Sequence, residues 1–224
     1  MKKFDFLWIT VLLVIAAILI VDSTRAAFLA ATKAHPYLMG FIKVAILATM
    51  GELLALRIVS GEWKKPAGLV YRIIIWGFLG VTFVLVFVIF NGGTAASISS
   101  GLLPAIENET GAMVLLAFFT SAFMNLIFAP TFMAFHRITD TYIDMGNGKM
   151  SEIMKIKLKD VVSRIDWNGF ISFVVCRTIP IFWIPAHTIT FILPSEYRVL
   201  MASFLSIAMG GILAFAKRKA VKPA

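Results

Sequence analysis

The chain has one cysteine, Cys176, so no intrachain disulfide can form and a disulfide-stapled secreted scaffold is excluded. Charge is scarce as well. Only 15% of the 224 residues are charged, 60% are hydrophobic and mean hydropathy is +0.91, whereas a soluble globular domain carries about 25% charged residues. The shortage excludes a water-soluble domain and points to a bilayer as solvent. Of the three histidines, His35, His136 and His187, no two are close in sequence. There is no glycine-rich phosphate loop, no metal-protease pair and no nucleophile elbow, so neither enzymatic chemistry nor a metal or cofactor is expected. An N-terminus poor in arginine and serine argues against an organellar transit peptide.

What is present is a series of apolar runs of the length a helix needs to cross about 30 Å of hydrocarbon. Six are expected: 4–22, 37–59, 70–91, 112–136, 166–184 and 196–216. Pro and Gly cluster at their ends and no period-2 alternation appears. The expected fold is therefore an all-α polytopic helical bundle in one membrane domain, 1–224, and not a β-barrel. Segment 4–22 reads as an uncleaved N-terminal signal anchor. The alternative is a cleaved signal peptide with "TRA" at 24–26 as its site. Residues 137–165 form the one long polar stretch and are expected to be a cytoplasmic loop with an interfacial amphipathic helix from about Ser151.

The net charge of +9 has a topological explanation better than nucleic-acid binding, which is not expected. Positive residues collect at Lys2 and Lys3; at Arg57, Lys64, Lys65 and Arg72; through 137–165; and at Lys217, Arg218, Lys219 and Lys222. The 92–111 loop has none and carries Glu107 and Glu109. With six crossings the basic clusters all fall on the cytoplasmic side, both termini included. The tripeptide Asn108-Glu109-Thr110 on the outer loop fits a glycosylation acceptor.

Polar residues inside the spans carry the functional signal, because an ionisable group at bilayer depth is costly unless paired or hydrated. Lys43 lies near a span end and can snorkel. Glu52 lies deeper, on a face of small residues formed by Ala45, Ala48, Thr49 and Ala55, which suits contact with another helix or with water. Arg177 is its expected partner. Asn125 and His187 complete the set expected to line a pore or to act as internal glue. Cys176 reads as a small packing residue. Ala202, Ser206, Gly210 and Ala214 recur every fourth position and mark a helix-packing seam. Pro130 and Pro180 should kink their helices and free carbonyls.

The stretch "FWIPAHTITFILPSEYRVLMASFLSIAMGGILAF" and the upstream "AHPYLMGFIKVAILATMGELLALRI" together resemble the family of the 22-kDa peroxisomal membrane protein and its mitochondrial inner-membrane relatives. The matching positions are His35, Pro36, Gly51, Glu52, Gly77, Gly80, Pro130, Trp183, Pro185, His187, Phe191, Pro194, Tyr197 and Arg198, in order along 25–216. Glu52 stands where the family has Asp, Leu56 replaces a Gln, and Met124-Asn125 replaces Asp-Gln. The resemblance implies a multi-pass protein, here a divergent prokaryotic one in the cytoplasmic membrane, or an organellar one if the source is eukaryotic. It also implies relatives that behave as weakly selective channels for small hydrophilic solutes. On this reading Trp183 and Tyr197 anchor at the interface, Pro185 and Pro194 bracket a turn, Glu196 and Arg198 cap the last helix, and His187 faces a pore mouth or headgroups. The competing expectation is a structural or regulatory membrane protein without transport. Expected partners are the lipid bilayer and small solutes, with a homo-oligomer left open.

Overall fold

A computed structural model describes residues 3–221, and Lys2 and Lys222 lie outside them, as do the side chains of Lys217, Arg218 and Lys219. Among the described residues there is no strand. The helices are α1 (Lys3–Ile20), α2 (Asp22–Ala34), α3 (Pro36–Ser60), α4 (Leu69–Ser99), α5 (Glu109–Met145), α6 (Met150–Ile153), α7 (Leu158–Arg164), α8 (Trp167–Ile192) and α9 (Ser195–Val221). Of these, α1, α3, α4, α5 and α8 are long and apolar enough to cross a membrane. The sixth expected segment, 196–216, lies within α9.

Helix limits follow local chemistry. The residue before a proline is driven out of the helical region, and His35, at φ −133°, separates α2 from α3 with Pro36 opening the new helix. Gly61 closes α3 in the left-handed conformation at φ 73°, its N–H donating to the Arg57 carbonyl. Asn108 caps α5, its side chain accepting from the Gly111 N–H at 2.9 Å.

Cross-helix contacts give the directions. Asp5 meets Arg57 and Trp8 donates to the Met50 carbonyl, so α1 runs antiparallel to α3. Glu52 meets Arg72 while Gly40 abuts Gly80, so α4 also opposes α3. Arg72 reaches Asp140 and Asn91 reaches Thr120, which sets α5 against α4. Arg137 lies over Phe170 and Asn125 meets His187, which sets α8 against α5. Lys43 meets Glu196, Gly51 abuts Ile207 and Gly210 abuts Ala55, so α9 runs parallel to α3. One end of the bundle therefore gathers Arg57, Lys64, Lys65, Arg72 and Arg137, and the other carries the 100–108 turn.

Lipid offers no hydrophobic drive for helix association, so close packing must hold the bundle together. The α3/α4 crossing shows how. A Cβ on Gly80 would overlap the Gly40 carbonyl, and one on Gly40 would lie 2.5 Å from Val84 Cγ2. At the α3/α9 crossing a Cβ on Gly51 would lie 3.1 Å from Ile207 Cα, and one on Gly210 3.2 Å from the Gly51 carbonyl oxygen. Ala202 and Ala214 are buried on the same helix. Outward, the spans expose Phe78, Leu85, Val88, Phe118, Ile127, Ile181 and Ile189 to the surroundings. A belt of that kind is expensive in water and suited to acyl chains. The chain is thus an all-α bundle whose apolar helices suggest a membrane-embedded protein.

Four expectations need correction. Pro185 does not open a turn: α8 continues through it to Ile192, and the chain reverses only at Leu193 and Pro194. The reason lies just upstream, where residues Phe170–Trp183 are wound as a π-helix, the Ile184 N–H donating five residues back to Ile179. A widened turn accommodates a residue that lacks an N–H. A shorter π segment, Met124–Phe128, does the same before Pro130, where the Ala129 N–H donates to the Met124 carbonyl. Second, α5 does not stop at 136 but runs to Met145, and the expected interfacial helix is only the short α6 and α7. Within 150–164 only Val161 is buried, so no continuous apolar stripe supports a longer helix. Third, the outer loop expected at 92–111 shrinks because α4 continues to Ser99. Fourth, Cys176 is exposed and is not a packing residue.

Candidate functional site

Small side chains on α3 and α9, together with the π-wound stretches of α5 and α8, leave a cavity of about 560 Å³ between these helices and α4. It extends from the basic end of the bundle, at Arg137, Asp140 and Asp144, past Glu52 and His136, to Asn125, Trp183 and His187.

At its mouth one guanidinium serves three helices. Arg72, 5% exposed, places Nη1 2.9 Å from Glu52 Oε1 and Nη2 2.6 Å from Asp144 Oδ1, while its Nε donates to the Ala67 carbonyl at 3.1 Å. Asp140 Oδ1 is also 2.9 Å from Nη1, but without hydrogen-bond alignment. Trp76 Nε1 donates to the second Glu52 oxygen at 3.4 Å. His136 stacks on Trp76 with centroids 4.1 Å apart and brings Nδ1 within 3.4 Å of Asp140 Oδ2, while its Nε2 is buried without a protein partner. Buried polar atoms normally have partners, so His136 Nε2, on a residue that lines the cavity, marks a place for water or a polar ligand.

The deep end is neutral. Asn125, 1% exposed, donates Nδ2 to the Ser121 carbonyl at 2.8 Å and presents Oδ1 to His187 Nδ1 at 3.1 Å. With the amide N–H committed to Ser121, Oδ1 is an acceptor, so His187 carries a proton on Nδ1 and donates it there. Trp183 stacks on the imidazole at 5.2 Å, and Phe87 meets its edge at 6.3 Å.

Toward the opposite end lies a second cavity of about 430 Å³, lined by Lys33, Lys43, Asn91, Glu196 and Arg198 among others. Phe87 lines both cavities. Its ring packs on Phe191 at 5.1 Å and on Phe83 at 6.1 Å.

The structure brings Glu52, Asn125 and His187 to one cavity and leaves Arg177 out of it. Arg177 is exposed on α8, where the adjoining Thr178 and Ile179 turn inward instead, and among the described residues it has no ion pair. The expected Glu52–Arg177 pair is therefore replaced by Glu52–Arg72. His187 is buried, not at a pore mouth, and Trp183 is buried beside it, not at an interface. Lys43 is buried and does not snorkel: Nζ donates to Thr32 Oγ1 at 2.9 Å and lies over the Phe28 ring. Glu196 takes Lys33 at 3.1 Å, and Arg198 donates Nε to the Leu193 carbonyl at 2.9 Å. Of the resemblance positions, Gly51, Gly77 and Gly80 lie at helix crossings, Pro36 lines the second cavity, His35 is exposed, and Pro194 sits at the reversal before Tyr197. Sequence reasoning missed Arg72, Trp76, Phe87, His136, Asp140 and Asp144 as site residues. The last three recur every fourth residue and share one helix face, a signal that reading 137–165 as a loop concealed. Among the described residues no three His, Cys, Asp or Glu side chains are grouped to hold a metal ion.

Compared with family models, with curated proteins and with solved structures, the chain matches none of them.

Proposed function

We propose that the protein is a multi-pass channel for small hydrophilic solutes, in a conformation closed at Phe87. The observation that carries this reading is the shared lining: two cavities toward opposite ends of the bundle both have Phe87 in their walls, within a buried apolar cluster that includes Val44, Phe191 and Val199. A hydrophobic constriction between hydrated chambers gates by excluding water. The carboxylates of Glu52, Asp140 and Asp144 around Arg72 give one mouth its electrostatic character, and His136 Nε2 supplies a polar contact along the path. The resemblance of 25–216 to a channel-forming family agrees with this reading. The positive residues at the Arg72 end support a cytoplasmic mouth, and on this reading the protein sits in the cytoplasmic membrane of a prokaryote, or in an organellar membrane if the source is eukaryotic.

One observation favours a structural role without transport: Arg72 ties α3, α4 and α5 together, as a clasp would. Solute efflux from loaded liposomes separates the two. Wild type should release small polar solutes slowly, Phe87→Ala should release them at least about tenfold faster, and Phe87→Trp should stay closed. Melting of each variant is followed in the same detergent, since truncating a buried Phe costs about 3–5 kcal/mol. A folded Phe87→Ala protein with no efflux would favour the clasp.

A further inference from the structure

Among the described residues, the second cavity carries more positive than negative charge in its lining. It is lined by three cations, Lys33, Lys43 and Arg198, and by one carboxylate, Glu196. Glu196 is engaged by Lys33 at 3.1 Å, and Lys33 is itself 70% exposed. Among the described residues, Lys43 and Arg198 have no carboxylate within ion-pair distance, and Glu196, shared with Lys33, is the one carboxylate that acts on them from farther off. Lys43 is only 6% exposed. A buried ammonium without a counter-ion is strongly disfavoured, because burial strips its hydration and supplies no opposite charge.

The donors that remain suit an oxyanion. Lys43 Nζ has two oxygen partners, Thr32 Oγ1 at 2.9 Å and the Glu196 carbonyl at 3.4 Å, and lies over the Phe28 ring, which leaves one of its three protons without an oxygen acceptor. Arg198 uses Nε on the Leu193 carbonyl and lays its guanidinium over Phe191 at 5.4 Å, so the fork formed by its two Nη groups is unspent. That fork matches two oxygens of a phosphate in bidentate geometry. Helices α3 and α9 both begin at this cavity, at Pro36 and Ser195, and the positive ends of two long helix dipoles add to the same field.

We propose that the second cavity is a binding site for a phosphate group, held by Lys43 and Arg198 at the outer end of the bundle. The phosphate is that of a lipid headgroup or of a free phosphate compound, since both present at least two non-bridging oxygens that share negative charge. The site stands on charge and burial and does not depend on transport.

The test uses the full chain purified in a phosphate-free neutral detergent. Thermal unfolding is followed against inorganic phosphate and, separately, against dihexanoyl phosphatidylglycerol, with sodium chloride at matched ionic strength as reference. Saturable stabilisation is expected from at least one of the two, with apparent affinity about tenfold or more weaker in Arg198→Gln and in Lys43→Met, since each loses a charge-assisted contact. Lys33→Gln, which removes an exposed cation already paired with Glu196, should keep most of the affinity. Stabilisation by inorganic phosphate identifies a free-anion site; stabilisation by the short-chain lipid alone identifies a headgroup site. If neither ligand stabilises beyond sodium chloride, or if Arg198→Gln and Lys33→Gln bind alike, the proposal is overturned. Should Lys43→Met fail to fold, Arg198→Gln decides the matter by itself.

Discussion

Arg72 is one residue doing the work of three ion pairs, and the asymmetry of removing it is instructive. Neutralising one carboxylate leaves the guanidinium with two others, whereas Arg72→Gln leaves Glu52, Asp140 and Asp144 facing one another without a cation between them. Breaking a buried charge pair by removing one partner costs about 3–5 kcal/mol. Arg72→Gln should therefore destabilise the protein by about that much and Glu52→Gln by less. The Glu52→Gln and Arg72→Gln changes together should cost less than their sum, because they share a contact. Arg177, exposed on α8, should add independently to Glu52→Gln. Unfolding of the three single and two double variants in one detergent checks this; coupling between Glu52 and Arg177, with none between Glu52 and Arg72, would contradict the geometry.

At the scale of the helix, the crossings depend on glycine only where another backbone is near. Gly80 touches the Gly40 carbonyl, while Gly93 on the same helix has nothing within 4 Å of its would-be Cβ. Gly80→Ala should lower the melting temperature clearly, and Gly93→Ala should leave it unchanged or raise it, since alanine favours a helix over glycine by about 1 kcal/mol. The reverse order would mean that the α3/α4 contact is not tight. Helix existence was legible in the sequence because an apolar run of span length has few alternatives in lipid. Glu52 was legible because its neighbours at helical spacing are small. What escaped was continuation. Arg137, Asp140 and Asp144 look like loop residues until α5 is seen to carry them past the apolar zone, and Pro185 looks like a breaker until the π-wound turn before it is known. Positions 72 and 177 are equally basic in sequence. Only tertiary packing decides which of them meets a carboxylate.

At the scale of the whole molecule, helix directions and charge placement make one topological statement. The 100–108 turn and the Lys149 turn lie at opposite ends of the bundle, because α5 runs between them. In a Cys176→Ala background, Glu107→Cys should react with an impermeant thiol reagent on intact cells and Lys149→Cys should react only after the membrane is opened; the opposite pattern would invert the orientation. The parallel pairing of α3 with α9 also bears on how the protein is made. Leu47 and Met50 of α3 are covered by Trp8, Leu12 and Ile15 of α1 on one side and by Leu200 of α9 on another. During synthesis α1 and α3 leave the ribosome early, and α9 follows every other described element. Until α9 arrives, the seam at Ala48 and Gly51 has no mate. A nascent chain at that stage leaves its small-residue groove uncovered, so a chain cut before α9 should be markedly less stable than the full chain.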